Sequence, residues 1–294
     1  MFDPLFEPFR YAFMLRGLLA VSTVGTVCAV IGVFVVLRGM AFFGDALAHT
    51  ILPGIAAGYL VSGGARPSLF WWALVTAIVS ALGIGTISRS TRLREDTAIG
   101  IVFAGMFALG IAMISTVRSY SVDLSHFLFG NVLGVSSGDL WRIAIFGGLI
   151  LLTIFALYKE FLIIAFDPML ATTLRLPERL LHYLLLVLMA ITIVISLQTV
   201  GVALMLAVLV TPAATAALLT RRLPLMMLFA ALIAVSSGLI GLYFSYYLGV
   251  AFGAAIVIVC TLWFMLVWAG QSLLQRFAPH HKEEAVAMAE QARP

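Results

Sequence analysis

The stretch LLHYLLLVLMAITIVISLQTVGVALMLAVLVTPAATAALL, residues 180–219, contains no Asp, Glu, Lys or Arg. A bilayer core about 30 Å thick is crossed by about 20 apolar residues of helix. The stretch therefore reads as two consecutive spans, near 180–198 and 200–219. Little more than Arg221, Arg222 and Leu223 separates it from the next apolar run, which implies a tight helical hairpin. Working outward, further spans are expected near 11–37, 44–62, 69–88, 97–116, 141–157, 224–246 and 250–270. The reading is an all-α, polytopic membrane protein of about nine transmembrane helices, residues 1–270 forming one domain and 271–294 a tail.

Composition excludes the other classes. Of 294 residues, 63% are hydrophobic and 10% charged, whereas a soluble domain carries roughly 25% charge. The mean hydropathy of +1.14 agrees. Disordered chains are poor in apolar residues, and a membrane β-barrel alternates polar and apolar positions in short segments. Neither fits long unbroken apolar runs. The acidic, proline-containing start MFDPLFEPFRYAF has neither the basic region nor the cleavage site of a signal peptide, so the first long helix is expected to be retained. Residues 2–10 also suit a short amphipathic helix at the interface. Cys28 and Cys260 lie inside apolar runs and imply no disulfide framework or CxxC metal site.

Basic residues orient the chain. Arg38, Arg89, Arg92, Arg94, Lys159, Arg175, Arg179, Arg221, Arg222, Arg276, Lys282 and Arg293 fall on one side, against Arg10, Arg16, Arg66, Arg118 and Arg142. The richer side is expected to be cytoplasmic, which leaves the C-terminus inside and the N-terminus outside. The net charge of +4 is thus read as topology, with a lipid bilayer and no nucleic acid as partner.

Two loops carry more apolar residues than connectors require. The outer one, 118–140, spaces Gly130, Gly134 and Gly138 by four and reads as a short helix packed through its glycines. The inner one, 158–179, contains FDPMLATTLRLP with Pro168 and Pro177, and reads as a short surface helix near 168–174 on which something docks.

Ionisable groups inside a membrane are costly and mark functional candidates. RGMAFFGDALAHTILPGIAAGYL, residues 38–60, holds Asp45 and His49 one helical turn apart. A carboxylate oxygen and an imidazole nitrogen so placed can share one divalent cation. Pro53 cannot donate to the His49 carbonyl, and Gly54 permits a local break. Other readings make Asp45 a helix N-cap, His49 a hydrogen-bonding partner of a neighbouring helix, or the pair a proton relay. The topology places the pair near the cytoplasmic end of the second span.

Pro212 frees the Val208 carbonyl in the same way, as a packing kink or a pore-lining position. Asp123 and His126, three apart in the outer loop, suit surface solvation or a secondary site where metal is admitted. His182 reads as a polar group at a span end, and His280, His281, Glu283 and Glu284 as a solvated tail. Gly54 with Gly58, and Gly249 with Gly253, read as close helix-packing sites. The sequence has no G-x-x-x-x-G-K-[ST], HExxH, G-x-S-x-G or dinucleotide motif. A transport subunit powered from outside the chain is the expectation, rather than an enzyme, and no permanently bound cofactor is expected.

Up to about residue 270 the chain resembles the membrane permease subunit of bacterial ABC importers for zinc, manganese and iron. The likeness rests on RGMAFFGDALAHTILPG (38–54), EDTAIGIVFAGMFALGIAM (95–113), LFGNVLGVSSGDL (128–140), FDPMLATTLRLP (166–177), VGVALMLAVLVTPAATAALL (200–219) and SYYLGVAFGAAIVI (245–258), in that order. It departs at Ala48, often serine in that family, and at Ala251-Phe252, where Pro-Ser or Pro-Thr is usual.

The resemblance implies a type II ABC importer-like permease of the bacterial inner membrane. Two permease copies, identical or paralogous, would pair with cytoplasmic ATP-binding subunits and an extracytoplasmic metal-binding protein. Asp45 and His49 would coordinate the cation. Phe166, Asp167, Pro168, Leu174, Leu176 and Pro177 would belong to the helix coupled to the ATPase. The alternatives are an ion-coupled secondary metal transporter and an ABC permease for iron chelates or cobalamin.

Overall fold

A computed structural model describes residues 8–62, 66–91, 93–116, 134–166, 171 and 173–277. After a 3-10 turn, Pro8–Arg10, the described chain forms α1 (Ala12–Leu37), α2 (Phe43–Thr50), α3 (Leu52–Ser62), α4 (Arg66–Thr91) and α5 (Glu95–Ser115). There follow α6 (Ser137–Ala156), α7 (Tyr158–Phe166), α8 (Glu178–Val200), α9 (Val202–Leu219), α10 (Leu223–Leu248) and α11 (Phe252–Phe277). Eight of these helices are long and apolar enough to cross a membrane. The predicted second span is instead two shorter helices, α2 and α3, meeting at Ile51.

Helix ends follow local chemistry. α6 begins at Ser137, four residues before the expected start, because Ser136 and Asp139 form a reciprocal capping box. α8 and α9 are joined by Gly201 alone, whose φ of 80° suits a residue without a β-carbon. Gly249 at φ 65° is the left-handed cap of α10, and a β-carbon on it would meet nothing within 4 Å. It is therefore not the packing site that its spacing to Gly253 suggested. Gly138 likewise meets only Ser136 and packs on no other helix. Pro212 sits buried within an α9 that continues through it.

The helices pack in two overlapping groups. α1 lies against α9 and α10, which in turn pack with α11. α8 lies against α4, and α2 and α3 are held between α4 and α5. α1, α8 and α6 touch one another and join the groups. α1 and α8 are the most enclosed long helices, and α5 is the least. Several polar groups in this interior are paired within the protein. Thr192, Thr199 and Thr215 donate to carbonyls one turn back in their own helices, and the Cys28 thiol meets the Ser196 hydroxyl at 3.1 Å. Such internal pairing is what an apolar surrounding requires.

Close backbone approach depends on glycine at the α1–α9 crossing. A β-carbon at Gly32 would collide with the Leu209 carbonyl oxygen and lie 3.4 Å from Ala213. Because a main-chain atom blocks the space, the two helices must separate to admit a side chain. Gly32→Ala is expected to destabilise the fold by about 2–3 kcal/mol, within the usual cost of overpacking. Gly83→Ala, where a β-carbon meets nothing within 4 Å, should be neutral or stabilising by about 0.5 kcal/mol. Thermal unfolding in detergent checks both, and equal melting temperatures for the two variants would contradict this packing.

Candidate metal-binding site

α2 presents Asp45 and His49 on one face, with Asp45 Oδ1 3.6 Å from His49 Nε2. Metal–oxygen and metal–nitrogen bonds of about 2.0–2.2 Å let one ion reach both atoms at that separation. Phe42, not Asp45, occupies the N-cap position, and no side chain caps this end. Asp45 lies within the first turn, where the helix dipole favours a carboxylate. The described residues give His49 no hydrogen bond to a neighbouring helix; instead its ring meets Phe103 and Phe107 of α5 edge-on, at 5.9 and 5.7 Å. Those phenylalanines lie in the middle of α5, so His49 sits at the depth of that helix's centre rather than near its end.

Glycine contacts hold the broken helix in place. At Ile51 the helix is interrupted, and the Ile51 amide turns toward the His49 carbonyl that Pro53 cannot engage. The oxygen expected to be free is thus faced by this amide. A β-carbon at Gly54 would collide with Thr76 Oγ1 and approach the Trp72 carbonyl to 2.5 Å, and one at Gly58 would meet the Trp72 side chain. Gly110 of α5 admits Leu52 and Pro53, and Gly44 admits Leu209 and Leu206 of α9. The break is therefore pressed against α4 and α5, with α9 beneath α2.

The face carrying the two candidate ligands is open. The Asp45 side chain is 42% exposed and that of His49 28%, whereas Ala48, Pro53, Gly54 and Pro212 are buried. No group of three or more His, Cys, Asp or Glu side chains converges among the described residues. One chain thus offers two donors and leaves the rest of a coordination shell to water or another chain. Asp123 and His126, Asp167 and Pro168, and the histidines and glutamates of the tail lie outside the described residues.

What remains of the inner loop has a defined end. Ala171 and Thr173 are helical, and the Leu176 amide returns to the Ala171 carbonyl with Arg175 left-handed at φ 54°. This six-to-one bond around a left-handed residue closes a helix C-terminus, though glycine is more usual at that position. Phe166 and Leu174 are exposed, Leu176 is half-buried, and Pro177 precedes α8.

α8 is tied at its start by charges that spacing alone did not reveal. Glu178 pairs with Arg89 at the end of α4. His182 is buried and shares a 2.8 Å hydrogen bond between its Nδ1 and Arg38 Nη1, with Nε2 unpartnered. Burial pulls the Arg38 pKa below its ordinary value, and the charge of Glu95 opposes that shift. The ends of α1 and α4 and the starts of α5 and α8 therefore meet in one ionic cluster.

A family model for the ABC 3 transport family matches residues 10–271. The manganese transport system membrane protein MntC of Halalkalibacterium halodurans is 45% identical over 267 residues, covering 91% of this chain and 89% of that protein. The probable iron transport system membrane protein of Haemophilus influenzae is 39% identical, covering 92% and 97%. Among solved structures, PsaBC from Streptococcus pneumoniae in complex with Fab matches with a TM-score of 0.76 and 36% identity, covering 88% of this chain and 92% of that one.

The Arg89–Glu178 pair is testable without reference to transport. Both side chains are less than a third exposed, and the pair links two helices, so reversing one charge sets like charges together. Arg89→Glu should lower stability by about 1 kcal/mol, and adding Glu178→Arg should recover most of the loss. A double-mutant cycle on melting temperature measures the coupling. Strict additivity of the two substitutions would show that the pair contributes nothing.

Proposed function

This chain belongs to the ABC 3 transport family, and on that premise we propose that it is the permease subunit of an ATP-driven importer of a divalent transition metal. Asp45 and His49 of each chain bind the cation in passage. The observation that carries the site is the open face of α2, with an oxygen and a nitrogen donor 3.6 Å apart on side chains that both stay partly exposed. Mixed oxygen and nitrogen donors suit manganese, zinc or ferrous iron. The curated relatives bear names of manganese and iron systems. The translocated cation is the substrate, and the chain needs no resident metal.

A second permease copy completes the site. Two chains bring two carboxylates and two imidazoles to a common axis. The neighbouring face of α5, exposed at Gly100, Ala104, Gly105 and Ala108, is small enough for close approach by another helix. Gathering the ligands between two chains also spares Asp45 contact with hydrocarbon, where charge is expensive.

Energy enters from the cytoplasmic side. The sequence carries no phosphate-binding loop of its own, so ATP hydrolysis belongs to a partner ATP-binding subunit. Residues 166–177 are the segment that docks on it. Exposed Phe166 and Leu174 provide the apolar contact, and the coupled segment also takes in Asp167, Pro168, Leu176 and Pro177.

A push on this segment is passed directly to α8. Glu178 carries it to α4, whose Trp72 and Thr76 grip Gly54 beside the broken helix. Alternating access then follows from small displacements of α2 and α3 between α4 and α5. Residues 1–270 act as the transmembrane unit, with 271–294 a cytoplasmic tail, and an extracytoplasmic binding protein delivers the cation. Asp123 and His126 of the outer loop serve as a secondary site where the cation is admitted.

Asp45→Ala and His49→Ala should each reduce radiometal uptake by at least about 10-fold, while the permease still assembles with its ATP-binding partner. A transition-metal ligand lost from a small donor set costs roughly one to two orders of magnitude or more. Uptake should also stop when the partner's ATPase is inactivated. Wild-type uptake by either variant would remove the site assignment. Uptake that survives ATPase loss and collapses with an uncoupler would instead favour a secondary carrier.

A further inference from the structure

The other side of the molecule carries a feature unrelated to the Asp45–His49 face. A cavity of about 630 Å³ opens between α1, α6 and α10, walled by Val30, Leu151, Phe155, Met227 and Ala231. Thr26 lies at one end, while Tyr158 and Pro224 lie at the other. Tyr158 begins α7, and Pro224 occupies the first turn of α10. The cavity therefore starts where α6 gives way to α7 and where the α9–α10 hairpin turns back. It runs from there along α10 to Ala231, about two turns or 10 Å into the membrane. Apolar walls of this depth suit a hydrocarbon chain.

Its mouth has the opposite character. Lys159 follows Tyr158, and Arg221 and Arg222 immediately precede α10, all three exposed. Glu160 is the one acid in these adjoining positions, so positive charge prevails. A phosphate is the group that three cations at the mouth of an apolar groove would recognise. By the distribution of basic residues, this end faces the cytoplasm.

We propose that this groove is a binding site for an anionic phospholipid of the inner leaflet, one acyl chain lying between α1, α6 and α10 and the phosphate held by Lys159, Arg221 and Arg222. The lipid fills space between helices that the protein's own side chains leave open. It braces α10 and the α6–α7 junction against each other. The site stands apart from the transport reading, since it uses none of the residues assigned to the cation or the ATPase.

The test uses the permease assembled with its partner subunits. The complex is purified in mild detergent, exposed to phosphatidylglycerol or phosphatidylcholine, and washed before native mass spectrometry counts the retained lipid. Phosphatidylglycerol should be retained at one molecule per permease, and phosphatidylcholine at least 10-fold less. The triple variant Lys159→Gln, Arg221→Gln, Arg222→Gln should lose that retention. So should Ala231→Trp, which fills the groove and alters no charge.

Metal uptake by Ala231→Trp separates lipid loss from loss of fold, because the substitution touches no proposed ligand. If the triple variant fails to assemble, Ala231→Trp decides by the same count. Equal retention of both lipids, no retained lipid in the wild type, or undiminished retention in Ala231→Trp would each overturn the proposal.

Discussion

A helix that breaks inside hydrocarbon must have the freed backbone groups covered by protein or a polar cavity, because lipid supplies no hydrogen bonds. That constraint governs the region around Ile51. Pro53 removes one donor, and the α2–α3 junction persists because neighbouring helices come close enough to exclude lipid. Glycines make this possible on three sides. Gly54 lets in α4, Gly110 of α5 lets in Leu52 and Pro53, and Gly44 lets in α9. The break, the grip around it and the open face of α2 form one arrangement. With any other residue at 53, a straight α2–α3 helix would carry the His49 carbonyl in an ordinary ladder and offer α4 and α5 less reason to converge there.

The charged cluster plays the complementary part at the end of the bundle. Arg38 and His182 join the end of α1 to the first turns of α8, and Arg89 and Glu178 join α4 to the same helix. α8 is also among the most enclosed long helices, so its start is where an external push meets the least slack. An ion pair and a charged hydrogen bond suit such a joint, since they hold helices in register without filling space as a packed side chain does. The Schellman-like closure at Arg175 puts the preceding segment immediately before this joint.

How much of this was readable from residues alone depends on the range of the interaction. Apolar runs report length against bilayer thickness, and eight long helices follow from them with shifted ends. Pro53 marks a break because its missing donor is a property of one residue, although the interruption falls at Ile51. The start of α6 was also legible, through Ser136 and Asp139 three apart, yet the expected start ran four residues late. Gly249 was misread because its spacing to Gly253 imitates a packing motif, while its left-handed φ is a property of the chain's path. Pairs such as Arg38–His182 lie 144 residues apart, and no periodicity announces them. The Asp45–His49 spacing was visible, and its depth was not, since depth depends on which part of α5 it meets.

The exposure of Asp45 places a further demand on any account of the fold. A carboxylate that is 42% exposed on a helix held between two others cannot face acyl chains without a large cost. Burial within its own chain would remove that cost but would also close the route to a passing ion. The proposed second copy, packed along the open face of α5, would meet both demands. It would shield the carboxylate from lipid and leave a path along the shared axis. With Asp45 and His49 as the proposed ligands, the same pairing would let two donors per chain suffice, because symmetry doubles each ligand without requiring a third on one helix. Two short helices facing each other in this way would also have room to move apart, which a closed four-ligand cage within one chain would not permit.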